Sequence, residues 1–233
     1  MVVLAGGLAT RLGPLAHDIP KALQPVGDRV FLDVMLEPVQ GCGFRRFHFC
    51  LGHLAEEVHR HLADGLTHLE ISTSVDQRLC GTGGALTDSL GHLDDPFLLL
   101  LGDTYLAIDY SKVFDLLPDD ALGLMVATSA ECGVTPNVHL SAGRVRAYDK
   151  KGIPSGLTDT GVAVLRKSAL AAVPQDGGPV DLGVIFQRLI NQQQLAGVEI
   201  TERFYDMGTP ERYREFAMRF NQHRTKRDDV HEG

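Results

Sequence analysis

Residues 3–27 read VLAGGLATRLGPLAHDIPKALQPVG and decide how the chain begins to fold. The apolar run VVL at residues 2–4 predicts a short strand, which is interrupted at Gly6 and Gly7. For about two dozen residues after these glycines, no amphipathic helix pattern appears. A long loop this early in a compact chain is typical of either a functional segment or a disordered one.

Strand and helix patterns alternate outward from this stretch through the first two-fifths of the chain. RFHFCLG at 46–52 predicts a strand, HLAEEVHRHLAD at 53–64 an amphipathic helix and LEISTSV at 69–75 another strand. PFLLLLGD at 96–103 is a continuous apolar run, as in parallel strands buried on both faces. The alternation predicts an α/β fold with a doubly wound, Rossmann-like, mixed but mostly parallel sheet flanked by helices. Ligands of such sheets bind beyond the carboxyl ends of the strands.

The second half is richer in strands and predicts one domain over residues 1–222. Its two halves, at about 1–110 and about 111–222, are followed by a charged, frayed tail at 223–233. The second half contains a hairpin that turns at Ala142 and Gly143. Its remaining predicted elements are strands at 122–130, 158–165 and 197–208 and helices at 181–194 and 210–223.

Composition limits the classes of function. The 233 residues are 44% hydrophobic and 22% charged, as in ordinary globular proteins, and their formal net charge is −8. This balance argues against nucleic acid and anionic membranes as partners, because no overall positive field attracts a polyanion. The four cysteines show no CxxC spacing, and no apolar run approaches the roughly 20 residues of a membrane span. We expect a reduced, soluble, cytoplasmic protein.

The opening loop contains groups that suit a phosphate ligand. Glycines directly after a strand let backbone N–H groups approach phosphate oxygens, because no Cβ is in the way. Arg11 and Lys21 add two cations to Gly6 and Gly7. The glycine pair alone is more often a surface turn, and the spacing is neither that of a Walker A loop nor that of GxGxxG. The loop becomes specific only as a combination of residues.

That combination resembles the signature of the sugar-1-phosphate nucleotidyltransferases, also called nucleoside-diphosphate-sugar pyrophosphorylases. Their pattern is a strand followed by G-G-x-G/A-T-R-L, a spacer ending in P-K, and x-L-x-P-V. Ala9 stands where many members have glycine. The matching positions are Gly6, Gly7, Ala9, Thr10, Arg11, Leu12, Pro20, Lys21, Leu23, Pro25 and Val26.

Later motifs follow the family's order as far as about residue 216. GTGGAL at 81–86 resembles the family's second glycine segment, which lies against the nucleobase, and LLGDT at 100–104 resembles the strand end whose aspartate, here Asp103, binds Mg²⁺. TDTGVAVL at 158–165 is similar to the acceptor strand N-x-G-x-Y-x-F, and YDMGTPERY contains Asp206 at the second metal-ligand position. AYDKKG at 147–152 places Lys151 at the position of the family's phosphate-binding lysine. The departures are Lys150 for an acidic residue, Asp159 for asparagine and Ala163 for tyrosine.

The resemblance implies a nucleotidyltransferase fold, with the nucleotide bound by the half at about 1–110 and the acceptor sugar phosphate by the half at about 111–222. It also implies a role for each matching residue. Arg11, Lys21 and Asp103 would be catalytic, and Asp103 and Asp206 would bind Mg²⁺. The nucleotide-binding residues would be Leu4, Ala5, Gly6, Gly7, Thr10, Arg11, Lys21, Asp76, Gly81, Thr82 and Gly83. The sugar-phosphate-binding residues would be Gly102, Lys151, Asp159, Thr160 and Gly161.

The implied reaction joins a nucleoside triphosphate to a sugar 1-phosphate and releases pyrophosphate. The chain resembles most the bacterial D-glycero-α-D-manno-heptose 1-phosphate guanylyltransferases, so GTP and that heptose phosphate are the expected substrates, although residue chemistry alone does not separate GTP from the other triphosphates. Uridylyltransferases for amino-sugar 1-phosphates, a nucleotide-sugar-dependent glycosyltransferase and a non-catalytic regulatory paralogue remain alternatives. A homodimer or homotetramer is common in the family.

Overall fold

The computed structural model describes residues 1–7, 12–13, 17–76, 78–172 and 178–231, with the backbone alone at residues 172 and 222–231. Its longer strands alternate with helices in the first half and follow one another in the second, as the sequence predicts. The strands are β1 (Val2–Leu4), β2 (Pro25–Val26), β3 (Arg29–Val30), β4 (Arg46–Leu51), β5 (Glu70–Val75), β6 (Phe97–Leu101), β7 (Thr104–Tyr105), β8 (Gly123–Thr128), β9 (Val138–Ser141), β10 (Arg144–Tyr148), β11 (Thr158–Leu165), β12 (Leu195–Ile200) and β13 (Tyr205–Asp206).

The described residues form six α-helices. Asp109 and Asp181 cap two of them, since each carboxylate accepts a hydrogen bond from a backbone N–H of the first turn. The helices are α1 (Phe31–Gly41), α2 (Ala55–Gly65), α3 (Gly81–Asp88), α4 (Tyr110–Asp115), α5 (Leu182–Asn191) and α6 (Pro210–His231). Short 3₁₀ helices cover Lys21–Leu23, Leu90–His92 and Lys167–Ala172.

Within the described residues, the main sheet has nine strands in the order β5-β4-β1-β6-β11-β8-β12-β10-β9. β5, β4, β1 and β6 are parallel neighbours, and β12 is parallel to β8. β11 and β10 run antiparallel to the strands beside them. The predicted fold class, a doubly wound and mostly parallel α/β sheet, is confirmed.

Helices cover both faces of this sheet, and β6 shows why its sequence is apolar throughout. Leu98 and Leu100 pack into a core that also holds side chains of α1, α2, α4 and α6. Phe97 and Leu99 point to the opposite face, into a core shared with α3 and α5. A strand buried on both faces has no solvent-facing position, so its hydrophobic run is continuous.

The predicted strand at 197–208 is two strands in the structure. β12 ends at Ile200, and β13 is a separate two-residue strand that pairs with β7. The charged residues Glu202 and Arg203 lie between them, and Arg203 pairs with Glu215 of α6 at 2.7 Å. The chain leaves the main sheet there because these charges are placed against α6 and solvent rather than in the sheet. This break brings Asp206 beside β7.

Helix α6 continues to His231, past the domain end expected at residue 222. The helical backbone therefore includes residues 223–231 of the segment expected to fray, and the expected domain bounds stay predictions. No helix in the described parts of the chain combines the length and the hydropathy of a membrane span.

Candidate active site

A cavity of about 420 Å³ lies at the carboxyl ends of β5, β4, β1 and β6. This is the sheet edge at which parallel α/β folds bind ligands. Ten of the residues singled out in the sequence line it. They are Leu4, Ala5, Gly6, Gly7, Lys21, Asp76, Gly81, Thr82, Gly102 and Asp103.

Strand pairing explains why the first glycine pair and the loop after β6 share this cavity. Leu4 and Leu101 are register partners at the ends of β1 and β6, and the Gly102 N–H donates to the Leu4 carbonyl at 2.9 Å. Gly6 packs against the backbone that follows β4, where a Cβ on residue 6 would lie 3.1 Å from the Leu51 carbonyl carbon. Only glycine allows this close approach without displacing the neighbouring strand end.

The second glycine segment forms the start of α3 on the other side of the cavity. Gly81 has φ +73°, and a Cβ there would lie 2.5 Å from the Val180 carbonyl oxygen. The buried Gly83 donates its N–H to that oxygen at 2.8 Å, and the Leu182 N–H donates to Thr82 Oγ1 at 2.8 Å. The segment is therefore tied to residues 180–182, while Gly81 and Thr82 face the cavity.

Two carboxylates that are distant in sequence meet through the β7–β13 ribbon. Asp206 is the register partner of Thr104, and the Met207 N–H donates to the Asp103 carbonyl at 2.9 Å. Asp103 therefore lies directly before β7, the strand that pairs with the strand of Asp206. The charge of Asp103 is one of the factors that raise the pKa of Asp206, after the larger effect of burial.

Each of these carboxylates has a cationic partner in the protein. Lys21 Nζ donates to Asp103 Oδ2 at 2.6 Å, so the lysine of the opening loop reaches the end of β6. Arg212 Nη1 donates to Asp206 Oδ2 at 2.8 Å, and the Gly208 N–H donates to Asp206 Oδ1 at 2.6 Å. Arg212 was not singled out in the sequence, where it follows the TPE start of α6 with no sign of its partner.

The two aspartates form a donor set that fits Mg²⁺ and not a metal held by protein alone. Mg²⁺ is commonly bound by one or two carboxylates together with substrate phosphates and water. Among the described residues, no group of three or more His, Cys, Asp or Glu side chains is placed to hold an ion. Asp103 and Asp206 would therefore hold the ion jointly with a phosphate-bearing ligand.

Asp76 follows β5 directly and contributes a carboxylate to the cavity wall. Its N–H donates to the Leu51 carbonyl at 3.0 Å, which places residue 76 at the end of β4. Burial raises the pKa of Asp76, whereas a hydrogen bond from the Cys80 thiol lowers it. Burial and Asp76 together raise the pKa of Cys80 to about 12, so this thiol stays protonated as a donor. Leu79 lies beside them, 70% exposed, and also lines the cavity.

The predicted acceptor residues lie outside the lining of this cavity, apart from Gly102. Thr160 is buried, and its hydroxyl donates a hydrogen bond to the Val126 carbonyl at 2.8 Å. This hydroxyl is therefore engaged within the main sheet. Lys151 is exposed on the turn after β10. Gly161 donates its N–H to Asp159 Oδ1 at 3.0 Å.

Lys150, the residue that departs from the family's acidic pattern, has a partner within the chain. Its Nζ donates to both carboxylate oxygens of Asp181, each at 2.6 Å. Asp181 also caps α5, and it lies between Val180 and Leu182, which bind the second glycine segment. Asp181 was not singled out in the sequence, although an Asp before a helical pattern is an N-cap signal. The Lys150–Asp181 ion pair therefore holds a carboxylate in the segment that contacts Thr82.

Asp159 is partly buried on β11, and burial raises its pKa to about 6. Hydrogen bonds from the Gly161 N–H and the Tyr148 hydroxyl, together with the charge of Lys150, oppose this rise. The Tyr148 hydroxyl has a raised pKa, mainly through burial and also through Asp159 and Asp181. Asp159 therefore changes its charge between weakly acidic and neutral pH.

We expect this carboxyl to make the folded protein less stable as the pH rises from about 4 to about 6. The folded state holds the Asp159 proton up to about pH 6, whereas the unfolded chain releases it at its ordinary pKa of 3.8. The contribution is complete below 3.8 and lost as the pH rises through 6. Between pH 4 and pH 7 the unfolding free energy of Asp159→Asn should gain roughly 2 to 3 kcal/mol relative to the unsubstituted protein.

Urea unfolding at a series of pH values measures this difference, and Asp149→Asn, at an exposed position on the nearby turn, controls for the loss of a charge. A constant difference between the Asp159→Asn and unsubstituted proteins across this range would contradict the assignment.

Thr10 and Arg11 lie outside the described residues, so their predicted roles stay predictions.

Comparison with known proteins identifies the family of the chain. Residues 1–143, more than half of the chain, match the family of MobA-like NTP transferase domains. The D-glycero-α-D-manno-heptose 1-phosphate guanylyltransferase of Campylobacter jejuni is 31% identical over 112 residues, which are 48% of this chain and 51% of that protein. The protein of the same name from Aneurinibacillus thermoaerophilus is 24% identical over 217 residues, 91% of this chain and 94% of that one.

Solved structures share the fold. HddC from Yersinia pseudotuberculosis superposes with a TM-score of 0.81 at 24% identity, covering 94% of this chain and 98% of that one. Its complex with GMP-PN gives the same TM-score at 23% identity. The chain spans about half the length of the Campylobacter relative.

Proposed function

The chain belongs to the family of MobA-like NTP transferase domains, and from this membership we propose that it transfers a nucleotidyl group from a nucleoside triphosphate to a sugar 1-phosphate, with release of pyrophosphate. The observation that carries the proposal is the Lys21–Asp103 contact, which joins residues 82 positions apart at a cavity bounded by both glycine segments. Asp206 lies on the strand next to Asp103. A lysine and a carboxylate in the lining of a glycine-rich cavity, with a second carboxylate on the adjacent strand, suit a triphosphate and the cation that accompanies it.

The reaction needs positioning and charge neutralisation more than proton transfer. A sugar 1-phosphate already presents ionised oxygens at neutral pH, so attack on the α-phosphorus requires no general base. The obstacle is repulsion between two polyanions and the entropy of aligning them, and alignment alone lowers such barriers by roughly 7–11 kcal/mol. Fixed cations at the transferring phosphorus stabilise the charge that develops there.

Different residues neutralise the charge of the substrates and position them. Lys21 leaves Asp103 to neutralise the triphosphate, and Arg11 is proposed as the second cation of the same loop. Lys151 is proposed to hold the acceptor phosphate from the turn after β10. Asp103 and Asp206 would hold Mg²⁺, which would act as a Lewis acid on the phosphate oxygens. Asp159, Thr160 and Gly161 belong to the proposed acceptor side.

GTP is the proposed nucleotide and D-glycero-α-D-manno-heptose 1-phosphate the proposed acceptor. The names of the two guanylyltransferase relatives support this choice. Asp76 supports guanine independently, because a carboxylate at the cavity wall accepts two hydrogen bonds from the adjacent N1–H and N2–H donors of guanine. Uracil, cytosine and adenine do not present two adjacent donors of this kind.

The test is a panel of reactions on the purified full chain. Pyrophosphate release is measured with GTP, UTP, CTP and ATP, each with Mg²⁺ and with heptose, mannose, glucose and N-acetylglucosamine 1-phosphates. Release that depends on both substrates supports nucleotidyl transfer, and the preferred pair identifies the substrates. A protein that binds triphosphates in a thermal-shift assay but releases no pyrophosphate with any acceptor would contradict the proposal.

Asp76→Asn should lower the preference for GTP. An asparagine side chain accepts one guanine donor but presents its own N–H₂ to the other, which leaves a buried polar group unpaired. We expect kcat/KM for GTP to fall roughly 10- to 100-fold, while kcat/KM for UTP changes little. Asp88→Asn, which removes an exposed carboxylate from α3, is the matched control. Equal losses for GTP and UTP would show that Asp76 does not read the base.

A further inference from the structure

Arg212 has no role in the reaction as proposed, yet it binds one of the two metal-binding carboxylates. Its Nη1 lies 2.8 Å from Asp206 Oδ2, and the Gly208 N–H occupies the other oxygen at 2.6 Å. Both side chains are largely buried, with 24% of Arg212 and 15% of Asp206 exposed. Both oxygens of Asp206 are therefore already engaged within the protein.

The ion pair between Arg212 and Asp206 forms at a helix end that is unfavourable for a cation. Arg212 lies in the first turn of α6, which begins at Pro210. The partial positive charge of a helix N-terminus disfavours a cation there. The interaction that offsets this cost in the described structure is the ion pair with Asp206. Arg212 is thus held at Asp206 and not merely near it.

Asp103 is engaged in a parallel way by Lys21, at 2.6 Å. Lys21 has an alternative ion-pair partner, because a triphosphate in the cavity presents phosphate oxygens to its ammonium. The ion pair between Arg212 and Asp206 persists until another group brings enough positive charge to the carboxylate to displace the guanidinium. The two ion pairs therefore differ in how the substrate acts on them.

We propose that Arg212 is an internal counter-ion that keeps Asp206 from binding a divalent cation in the nucleotide-free protein, so that the cation binds together with the triphosphate. This inference rests on the proposed function. A free cation would have to compete with the guanidinium for Asp206 and with the Lys21 ammonium for Asp103. With a triphosphate present, Lys21 leaves Asp103, and phosphate oxygens add ligands that the protein lacks. The protein thereby avoids holding a cation without its substrate.

A purely structural role for Arg212 predicts the opposite sign. If the guanidinium only orients Asp206 for the metal, removing it would misplace the carboxylate and weaken cation binding. If the guanidinium competes with the metal, removing its charge strengthens cation binding. Cation affinity in the absence of nucleotide therefore separates the two roles without any measurement of turnover.

The experiment titrates Mn²⁺ into the nucleotide-free full chain and measures binding by electron paramagnetic resonance or calorimetry. Arg212→Gln should bind Mn²⁺ about 10-fold more tightly than the unsubstituted protein, a modest share of the Coulomb energy of a charge pair at this separation. Arg212→Lys keeps a cation at the site and should bind Mn²⁺ as weakly as the unsubstituted protein. Arg214→Gln removes a charge from an exposed position of the same helix and should leave the affinity unchanged.

A second titration adds a non-hydrolysable GTP analogue. The analogue should tighten Mn²⁺ binding by the unsubstituted protein more than by Arg212→Gln, because the variant has already lost one competing charge. Equal or weaker Mn²⁺ binding by a folded Arg212→Gln protein in the absence of nucleotide would overturn the inference. That result would leave the proposed reaction intact, since pyrophosphate release tests the reaction separately.

Discussion

Asp103→Asn should lower kcat for pyrophosphate release about 1,000-fold, a loss typical of removing a principal charge-stabilising group from an active site. Asparagine keeps the shape of the side chain and one oxygen for Lys21, but it removes the negative charge that would hold the metal jointly with Asp206. The 31% exposed side chain is not part of either hydrophobic core, so the fold should survive the change. The loss should therefore appear as reduced turnover in a folded protein.

Initial rates with saturating GTP and acceptor measure this loss, and thermal unfolding verifies that the variant is folded. Asp120→Asn is the matched control, because Asp120 is an exposed carboxylate that pairs with Arg144 and does not line the cavity. It should keep nearly full activity. Turnover of Asp103→Asn within tenfold of the unsubstituted protein would remove Asp103 from the proposed mechanism.

Lys21→Ala should lower kcat about 100- to 1,000-fold and also weaken binding of the triphosphate. The variant loses the cation that neutralises the phosphates and leaves the Asp103 charge unpaired at the cavity, where it repels them. Lys21→Arg keeps the charge but replaces a compact ammonium by a planar fork, so it should restore only part of the activity. The effect on stability should be small, about 1 kcal/mol or less, because the ion pair is partly solvated.

Steady-state kinetics with GTP varied at fixed acceptor separates the losses in kcat and KM. Lys112→Ala is the control, since Lys112 is 81% exposed and pairs with Asp109 on the same turn of α4. It should behave like the unsubstituted protein. Near-normal turnover of Lys21→Ala would refute its role, and the Lys21–Asp103 contact would then be structural.

Both predictions depend on contacts that the sequence could suggest only through resemblance. The alternation of strands and helices predicted the fold class, because side-chain periodicity is a local property that each segment carries by itself. The continuous apolar run of β6 predicted a strand buried on both faces for the same reason. The hairpin at Ala142 and Gly143 was equally local, and both residues have positive φ in the structure.

The errors and omissions of the sequence analysis fall where a charged residue finds a distant partner. The segment 197–208 was predicted as one strand, and its break depends on Arg203 meeting Glu215 of α6. Lys150 stood out only as a departure from the family's acidic residue, and nothing in the sequence indicated that its ammonium is held by Asp181. Arg212 carried no signal of its contact with Asp206. A charge in a sequence does not state which opposite charge it will meet.

The sequence by itself determined the α/β order, the apolar strands, the glycine segments and the positions of the ionisable residues, because these depend on each residue and its near neighbours. Only the tertiary structure decided that Lys21 meets Asp103, that β13 pairs with β7 to bring Asp206 alongside, and that Arg212 occupies the second carboxylate. These contacts form because packing the sheet and its helices brings distant segments to one edge. Partial burial there favours paired over unpaired charges.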